Sequence, residues 1–295
     1  MRHLISLLII GIFFVEPLFG QSDFIDINSH QMNVETAGLD AREPGEPVII
    51  FESPSGGTVK DWDSIFYKAA SIAPVIRYDR SGLGKSEWNG KKPSPENIAV
   101  HLLELLETME IKPPYVLVGH SWGTQLVRHF AYLYPEKTGG LILLDPGFRP
   151  NTFKAALEDI GASPEEGFKA YLDTFKDNFD NPNYTENQVR HFTAMAEWFV
   201  SPFFPPTPQT PVAALLGGKP GPGPPLLAQL PFDYDKWIIA INRREMERLL
   251  SWTLDSPDGI FILADQSGHY IQHDEPALVL AAIRNVVDKS PSNSE

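Results

Sequence analysis

Residues 115–118 are a short apolar run that ends in Gly119-His120-Ser121-Trp122-Gly123, and a helical stretch over 122–134 follows until Pro135 stops it. A buried strand that passes into a helix within so few residues needs a sharp, strained turn. Glycine two residues to either side of Ser121 lets neighbouring backbone come close, and the hydroxyl then projects from the edge of a sheet. The helix beginning just after Ser121 directs unpaired N–H groups and its positive dipole end at any negative charge that develops there. Ser121 is therefore a candidate nucleophile. The plain alternative is a tight strand–helix turn that carries a serine by chance, and what separates the two is whether the chain also supplies a base.

The same alternation runs along most of the chain. Residues 24–36 alternate as a hairpin, and 48–51 and 75–78 are short runs of strand type next to turn-forming residues. Ser94-Pro95 reads as an N-cap followed by proline in the first turn, and Ile98, Leu102, Leu105, Leu106 and Met109 continue with helical spacing. Further strands fall at 141–144, 212–216 and 260–264, and a last helix at 276–287. Strands alternating with helices predict an α/β fold: a mostly parallel central sheet with helices on both faces. Residues 146–210 break the pattern, with helical pieces at 164–179 and 186–199 and no strand signal. The expected organisation is a core of 21–145 and 211–295 interrupted by a helical cap insertion of 146–210. Ten prolines between Ser201 and Pro231 resist regular structure and suggest stiff, extended loops.

Charge and composition narrow the function. The chain carries 24 basic and 38 acidic residues, a net charge of −14, which argues against a nucleic-acid partner. It has no cysteine, so disulfides, thiolate metal sites and a cysteine nucleophile are excluded. At the start, Arg2 and His3 precede a charge-free, mostly apolar run over 4–15, too short for a stable membrane span, which takes about 20 residues. Gly20 and Gln21 follow. This predicts a signal peptide over 1–20, cleavage near Gly20/Gln21 and a secreted or periplasmic protein; an uncleaved N-terminal anchor is the alternative.

Neutral imidazole can accept a serine proton near neutral pH. His269 lies between the strand at 260–264 and the last helix, in the kind of loop this chemistry needs, with His273 as its local rival. His120 adjoins the nucleophile and is expected to pack beneath the turn, and His101 and His129 fall within helices. No H-E-x-x-H pair occurs, so no metal site is called for. Gly82-Leu83-Gly84-Lys85-Ser86 fails both as a P-loop, since Asp79 stands where a glycine is needed, and as a dinucleotide fingerprint, since Glu87 does the same. No cofactor is expected.

With the elbow at 119–123, the segment Asp79-Arg80-Ser81-Gly82-Leu83-Gly84-Lys85-Ser86, the Ser267-Gly268-His269 segment and a cap at 146–210, the chain resembles the α/β-hydrolase superfamily over nearly its whole length after residue 20. The resemblance implies a triad in the order nucleophile, acid, histidine, with Ser121 and His269 at its two ends. The family's usual acid follows the strand at 212–216, where this chain reads Gly217-Gly218-Lys219-Pro220 and has no carboxylate. Asp145, after the strand at 141–144, occupies the superfamily's alternative position; Asp265 is the next choice, then Asp233 and Asp235. The oxyanion hole is expected to combine the N–H of Trp122 with one from the loop after 48–51. There Ser53-Pro54 replaces the family's His-Gly pair, and since Pro54 has no N–H the donor falls to Ser55.

The expectation is a secreted serine hydrolase that takes a small-molecule acyl substrate and cleaves an ester or related bond. Ser121-Trp122-Gly123 is also similar to proline iminopeptidases, in which cap carboxylates hold a free amine; Glu165, Glu166 and Glu197 are the candidates here. A non-catalytic binding protein on the same scaffold is the third reading. Phe192, Trp198, Phe199, Phe203 and Phe204 are expected either to dock the cap on the core or to line an apolar pocket over Ser121.

Overall fold

The computed structural model describes residues 21–291 apart from 178, 180, 201 and 220–224. The expected signal peptide, 1–20, lies outside the described residues. Eight strands form one sheet: β1 Gln21–Ile27, β2 His30–Ala37, β3 Val48–Glu52, β4 Val75–Tyr78, β5 Tyr115–His120, β6 Thr138–Leu144, β7 Val212–Gly217 and β8 Ile260–Ala264. Their spatial order is β1-β2-β4-β3-β5-β6-β7-β8. The β1–β2 hairpin and the β2–β4 pair are antiparallel, and every other pair is parallel. Strands β3, β5, β6 and β7 are buried at every position, because helices cover both faces.

The helices are α1 Phe66–Ala69, α2 Pro95–Thr108, α3 Trp122–Leu133, α4 Pro150–Asp159, α5 Pro164–Asp177, α6 Glu186–Val200, α7 Tyr234–Leu254, α8 Ile271–Asp274 and α9 Pro276–Lys289. On one face α2, α3 and the second half of α7 bury Leu105, Leu106, Phe130, Leu249 and Trp252 against alternate residues of the sheet. On the other, Trp62, Phe66 and the apolar stripe of α9 cover Ile49, Phe51 and Val118. Ser94 caps α2 by accepting the Asn97 N–H at 3.2 Å.

Four helices escape the sequence periodicity: the single turns α1 and α8 and two longer ones. One of the longer pair is α4. The other is α7, whose buried stripe of Trp237, Ile241, Leu249 and Trp252 is interrupted by a fully buried carboxylate, Glu245. The first half of α7 leaves the sheet and joins α4, so that Phe153, Ala156 and Leu157 share a small core with Trp237 and Ile241. Helices α4, α5 and α6 all lie between β6 and β7, above the carboxyl edge of the sheet.

That edge is where function concentrates. The chain goes from β3 to β4 on one side, then returns across β3 to form β5 on its other side. Loops leaving β3 and β5 therefore part in opposite directions and open a crevice at their carboxyl ends. Because α3 is held to the sheet by residues such as Phe130, which has no exposed surface, Phe130→Ala is expected to cost about 3–5 kcal/mol. Urea unfolding followed by circular dichroism measures this.

Candidate active site

Ser121 stands at the junction of β5 and α3 with φ 52° and ψ −117°, a conformation side chains disfavour. The turn is that tight because β3, β5 and α3 meet backbone to backbone. A Cβ on Gly123 would overlap the carbonyl oxygen of Glu52, and one on Gly119 would come within 2.5 Å of the Gly123 oxygen. Both glycines of the elbow are thus demanded by close approach. The Ser121 N–H is taken by Leu144 O at 2.9 Å, which ties the elbow to the end of β6.

Asp145 follows β6 directly, at φ 43°. Its N–H donates to Leu215 O at 2.8 Å, and its Oδ1 accepts the Gly217 N–H at 2.8 Å. Its Oδ2 lies 2.5 Å from Nδ1 of His269. A carboxylate can only accept, so Nδ1 carries the proton and Nε2 is left as the free base position. His269 is half exposed, with Asp145 mostly covered beneath it. The other carboxylates lie elsewhere. Asp265 is exposed and accepts from Gln266 Nε2 at 3.0 Å. Asp233 caps α7 through Lys236 N at 3.1 Å, and Asp235 falls in the first turn of the same helix. At the end of β7 a Cβ on Gly217 would overlap Gly268 O, so no side chain fits at that position, where the strand abuts the histidine loop.

His120 joins the elbow to that loop. It has no exposed surface; its Nε2–H donates to the carbonyl of His269 at 2.7 Å, and its Nδ1 accepts from Gln272 Nε2 at 3.2 Å. Burial holds its imidazole well below the ordinary histidine range, so it stays neutral. Through His120, Ser121 is one residue from a direct link to His269. Among the described residues no hydrogen bond joins Ser121 Oγ to His269; such bonds are often long before substrate binds. His273 lies on α8, outside this contact.

The loop after β3 makes a turn closed by Gly57 N to Pro54 O at 3.1 Å. Ser55 is the second residue of that turn, whose N–H takes no part in the turn bond. Its hydroxyl is buried with no partner among the described residues. Trp122, the other expected donor, is the first residue of α3, where N–H groups have no intrahelical acceptor. Ser53 is a support: its hydroxyl donates to Thr58 O at 2.9 Å and accepts from Trp62 Nε1 at 3.0 Å. Arg80 braces the same loop from below, donating to Ser53 O at 2.6 Å, Pro54 O at 2.5 Å and Glu52 Oε1 at 2.5 Å. Tyr78 donates to the second oxygen of Glu52. Burial pushes the Glu52 carboxyl up, against the opposing pull of Arg80 and Tyr78.

Helix α6 lies across these loops. The Phe192 ring covers Gly56, Gln188 Nε2 donates to Gly56 O at 3.3 Å, and Asn187 fills the space over Gly82. His191, which the sequence alone does not single out, donates from Nε2 to Ser81 O at 3.1 Å. The five cap aromatics therefore do not form one cluster. Trp198 and Phe199 pack on Trp122, with ring centroids 5.1 and 6.4 Å away, and Phe204 lies against Trp198. Phe192 joins Phe179 and Tyr184, while Phe203 sits beside His129 and Tyr132. Of the candidate amine-binding carboxylates, Glu165 is paired with Lys154 and Glu197 with Lys92, and Glu166 is exposed on α5.

Residues 54–282 match the alpha/beta hydrolase family, and the chain belongs to it. Over 98 residues it is 31% identical to the uncharacterized protein YqjL of Bacillus subtilis (strain 168), covering 33% of this chain and 39% of that one. Over 183 residues it is 25% identical to the proline iminopeptidase of Heyndrickxia coagulans, covering 54% and 60%. The match thus spans less than two thirds of either relative. In shape it is similar to naproxen esterase (carboxylesterase NP) from Bacillus subtilis, at 18% identity and TM-score 0.55 over 90% of each chain.

The buried histidine of α6 has a pH signature. Burial lowers His191 to about 3, whereas an unfolded histidine titrates near 6.5. Below pH ~6.5 the unfolded state binds a proton that the folded state refuses, so stability falls as pH falls, by about 1.4 kcal/mol per unit down to about pH 3. His191→Gln, which can still donate to Ser81, is expected to lose about 2 kcal/mol less than wild type between pH 7 and pH 5. Urea unfolding at the two pH values measures the difference.

Proposed function

We propose that this chain is a serine hydrolase that cleaves an ester or related acyl bond by way of an acyl-enzyme. The observation that carries the reading is the 2.5 Å hydrogen bond from His269 Nδ1 to Asp145, on a loop that His120 ties to the residue beside Ser121. In the proposed reaction, Ser121 Oγ attacks the substrate carbonyl carbon while His269 Nε2 takes its proton. Asp145 keeps the imidazole in the tautomer that leaves Nε2 free and stabilises the imidazolium that forms. The N–H groups of Trp122 and Ser55 receive the negative charge that develops on the carbonyl oxygen. The intermediate collapses, the C–O bond to the leaving group breaks, and His269 returns its proton to the departing alcohol. Water then repeats the sequence on the acyl-enzyme: His269 removes its proton, the acid is released and Ser121 regains its hydrogen.

The iminopeptidase reading is weaker, because Glu165 and Glu197 are engaged by lysines and Glu166 faces outward on α5. Trp198 and Phe199 against Trp122 support an apolar wall beside the acyl group. Export after cleavage near Gly20/Gln21 belongs to the same proposal; N-terminal sequencing of the mature protein is expected to begin at Gln21.

An active-serine phosphonate probe is expected to label the wild type and not Ser121→Ala, with 4-nitrophenyl ester turnover falling about 10⁴-fold in the variant. Asp145→Asn is expected to fold normally and lose up to about 10⁴-fold in kcat, while Asp265→Asn stays close to wild type. An active Asp145→Asn beside a folded but dead Asp265→Asn would reverse the assignment of the acid.

A further inference from the structure

Arg128, Arg149 and Arg248 are charged neighbours, with one carboxylate, Glu245, among them. Arg128 on α3 is only 4% exposed, and it donates to two neutral acceptors, Pro205 O at 2.9 Å and Gln125 Oε1 at 3.3 Å. Its guanidinium also lies 5.2 Å from the centre of the Trp252 ring. Arg149, four residues beyond Asp145 and just before α4, lies 4.3 Å over the Phe204 ring. Phe204 and Pro205 are consecutive, so the two arginines approach the same piece of chain. Arg248 is one turn before Trp252 on α7 and pairs with Glu245, the only carboxylate bonded to any of the three among the described residues. The Nε atoms of Arg128 and Arg149 are buried without a partner.

Packing explains part of this arrangement. Arg128 secures the Pro205 carbonyl and lies on Trp252. It does not explain Arg149, whose guanidinium meets an aromatic face and no acceptor among the described residues. Nor does it explain why a buried arginine, Arg128, lies beside two half-buried ones with a single carboxylate, Glu245, among them. Uncompensated buried charge is costly. Burial first, and then the neighbouring Arg149 and Arg248, lowers Arg128 to about 9; burial and then Arg248, against the pull of Glu245, lowers Arg149 to about 10. The Nε edge of a guanidinium is one face of a planar fork that fits an oxyanion through parallel hydrogen bonds.

We propose that Arg128 and Arg149 form a site for an oxyanion, a carboxylate or phosphate group, held between cap and core. Phe204 and Trp198 connect Arg149 to Trp122, the residue after Ser121. The oxyanion is either a free ion that locks the cap to the core or an anionic end of the substrate itself. Only the second source rests on the esterase reading.

Arg149 is the variant of choice, because Arg128 is buried in the core and its loss endangers folding. Isothermal titration of inorganic phosphate and of succinate into the full chain is expected to show binding in wild type and its loss in Arg149→Gln. In parallel, two 4-nitrophenyl esters of matched length, one neutral and one ending in a carboxylate, are compared by kcat/KM. A fall of about tenfold to a hundredfold in the preference for the anionic ester in Arg149→Gln assigns the oxyanion to the substrate. Lost titration with an unchanged ester preference assigns it to a free ion. No binding of either anion to wild type, together with an unchanged ester preference, overturns the proposal. If wild type hydrolyses no ester, the esterase reading fails while the titration still decides the anion site.

Discussion

The carboxyl edge of the sheet depends on backbone contacts too close for any side chain. Gly123 of α3 rests on the end of β3, and Gly217 at the end of β7 rests on the histidine loop at Gly268. These contacts draw loops from β3, β5, β6 and β8 into one small volume. Functional side chains can then meet although they are far apart in the chain. The same contacts impose costs. Ser121 takes a disfavoured backbone conformation, Asp145 takes a positive φ, and position 217 can carry no carboxylate.

A second layer of polar groups keeps the edge rigid. Glu52 and Arg80 are both buried, and Arg80 spends its donors on Glu52 and on the carbonyls of the loop that carries Ser55. Asp79, beside it, accepts from Val59 N and Lys85 N and so pins the neighbouring turns. A carboxylate whose oxygens accept backbone N–H groups fixes chain position better than apolar packing, because hydrogen bonds are directional. Helix α6 rests on the same loops, touching Gly56, Ser81 and Gly82, and so lies directly against the loop that carries Ser55.

Buried histidines and arginines are distributed over the fold: Arg77 on β4 and Arg80 just after it, His101 on α2, His120 at the elbow, Arg128 on α3 and His191 on α6. His120 and His191 are kept neutral by burial and act as fixed donors to backbone carbonyls. The arginines near Phe204 keep their charge and lack acceptors of matching charge.

Much of this was legible in the sequence, because strand and helix periods are local. The strands at 75–78 and 260–264, the capped helix at Ser94 and the elbow at Ser121 follow from hydrophobic spacing, proline and glycine. Four helices did not follow: the single turns α1 and α8, then α4, and α7, whose buried stripe is broken by Glu245, a carboxylate paired with Arg248 one turn further along the same helix. The sequence also named Asp145, Asp265, Asp233 and Asp235 as possible acids without ranking them by contact. Which carboxylate reaches His269 depends on how β6 and β8 lie across β7, and that register exists only in the assembled sheet. His120 and His191 were visible as histidines, yet their carbonyl partners lie more than a hundred residues away in the chain. Sequence determined the local elements and the residue types at the edge; tertiary structure decided which of them touch, because those contacts are made between strand ends that only the sheet brings together.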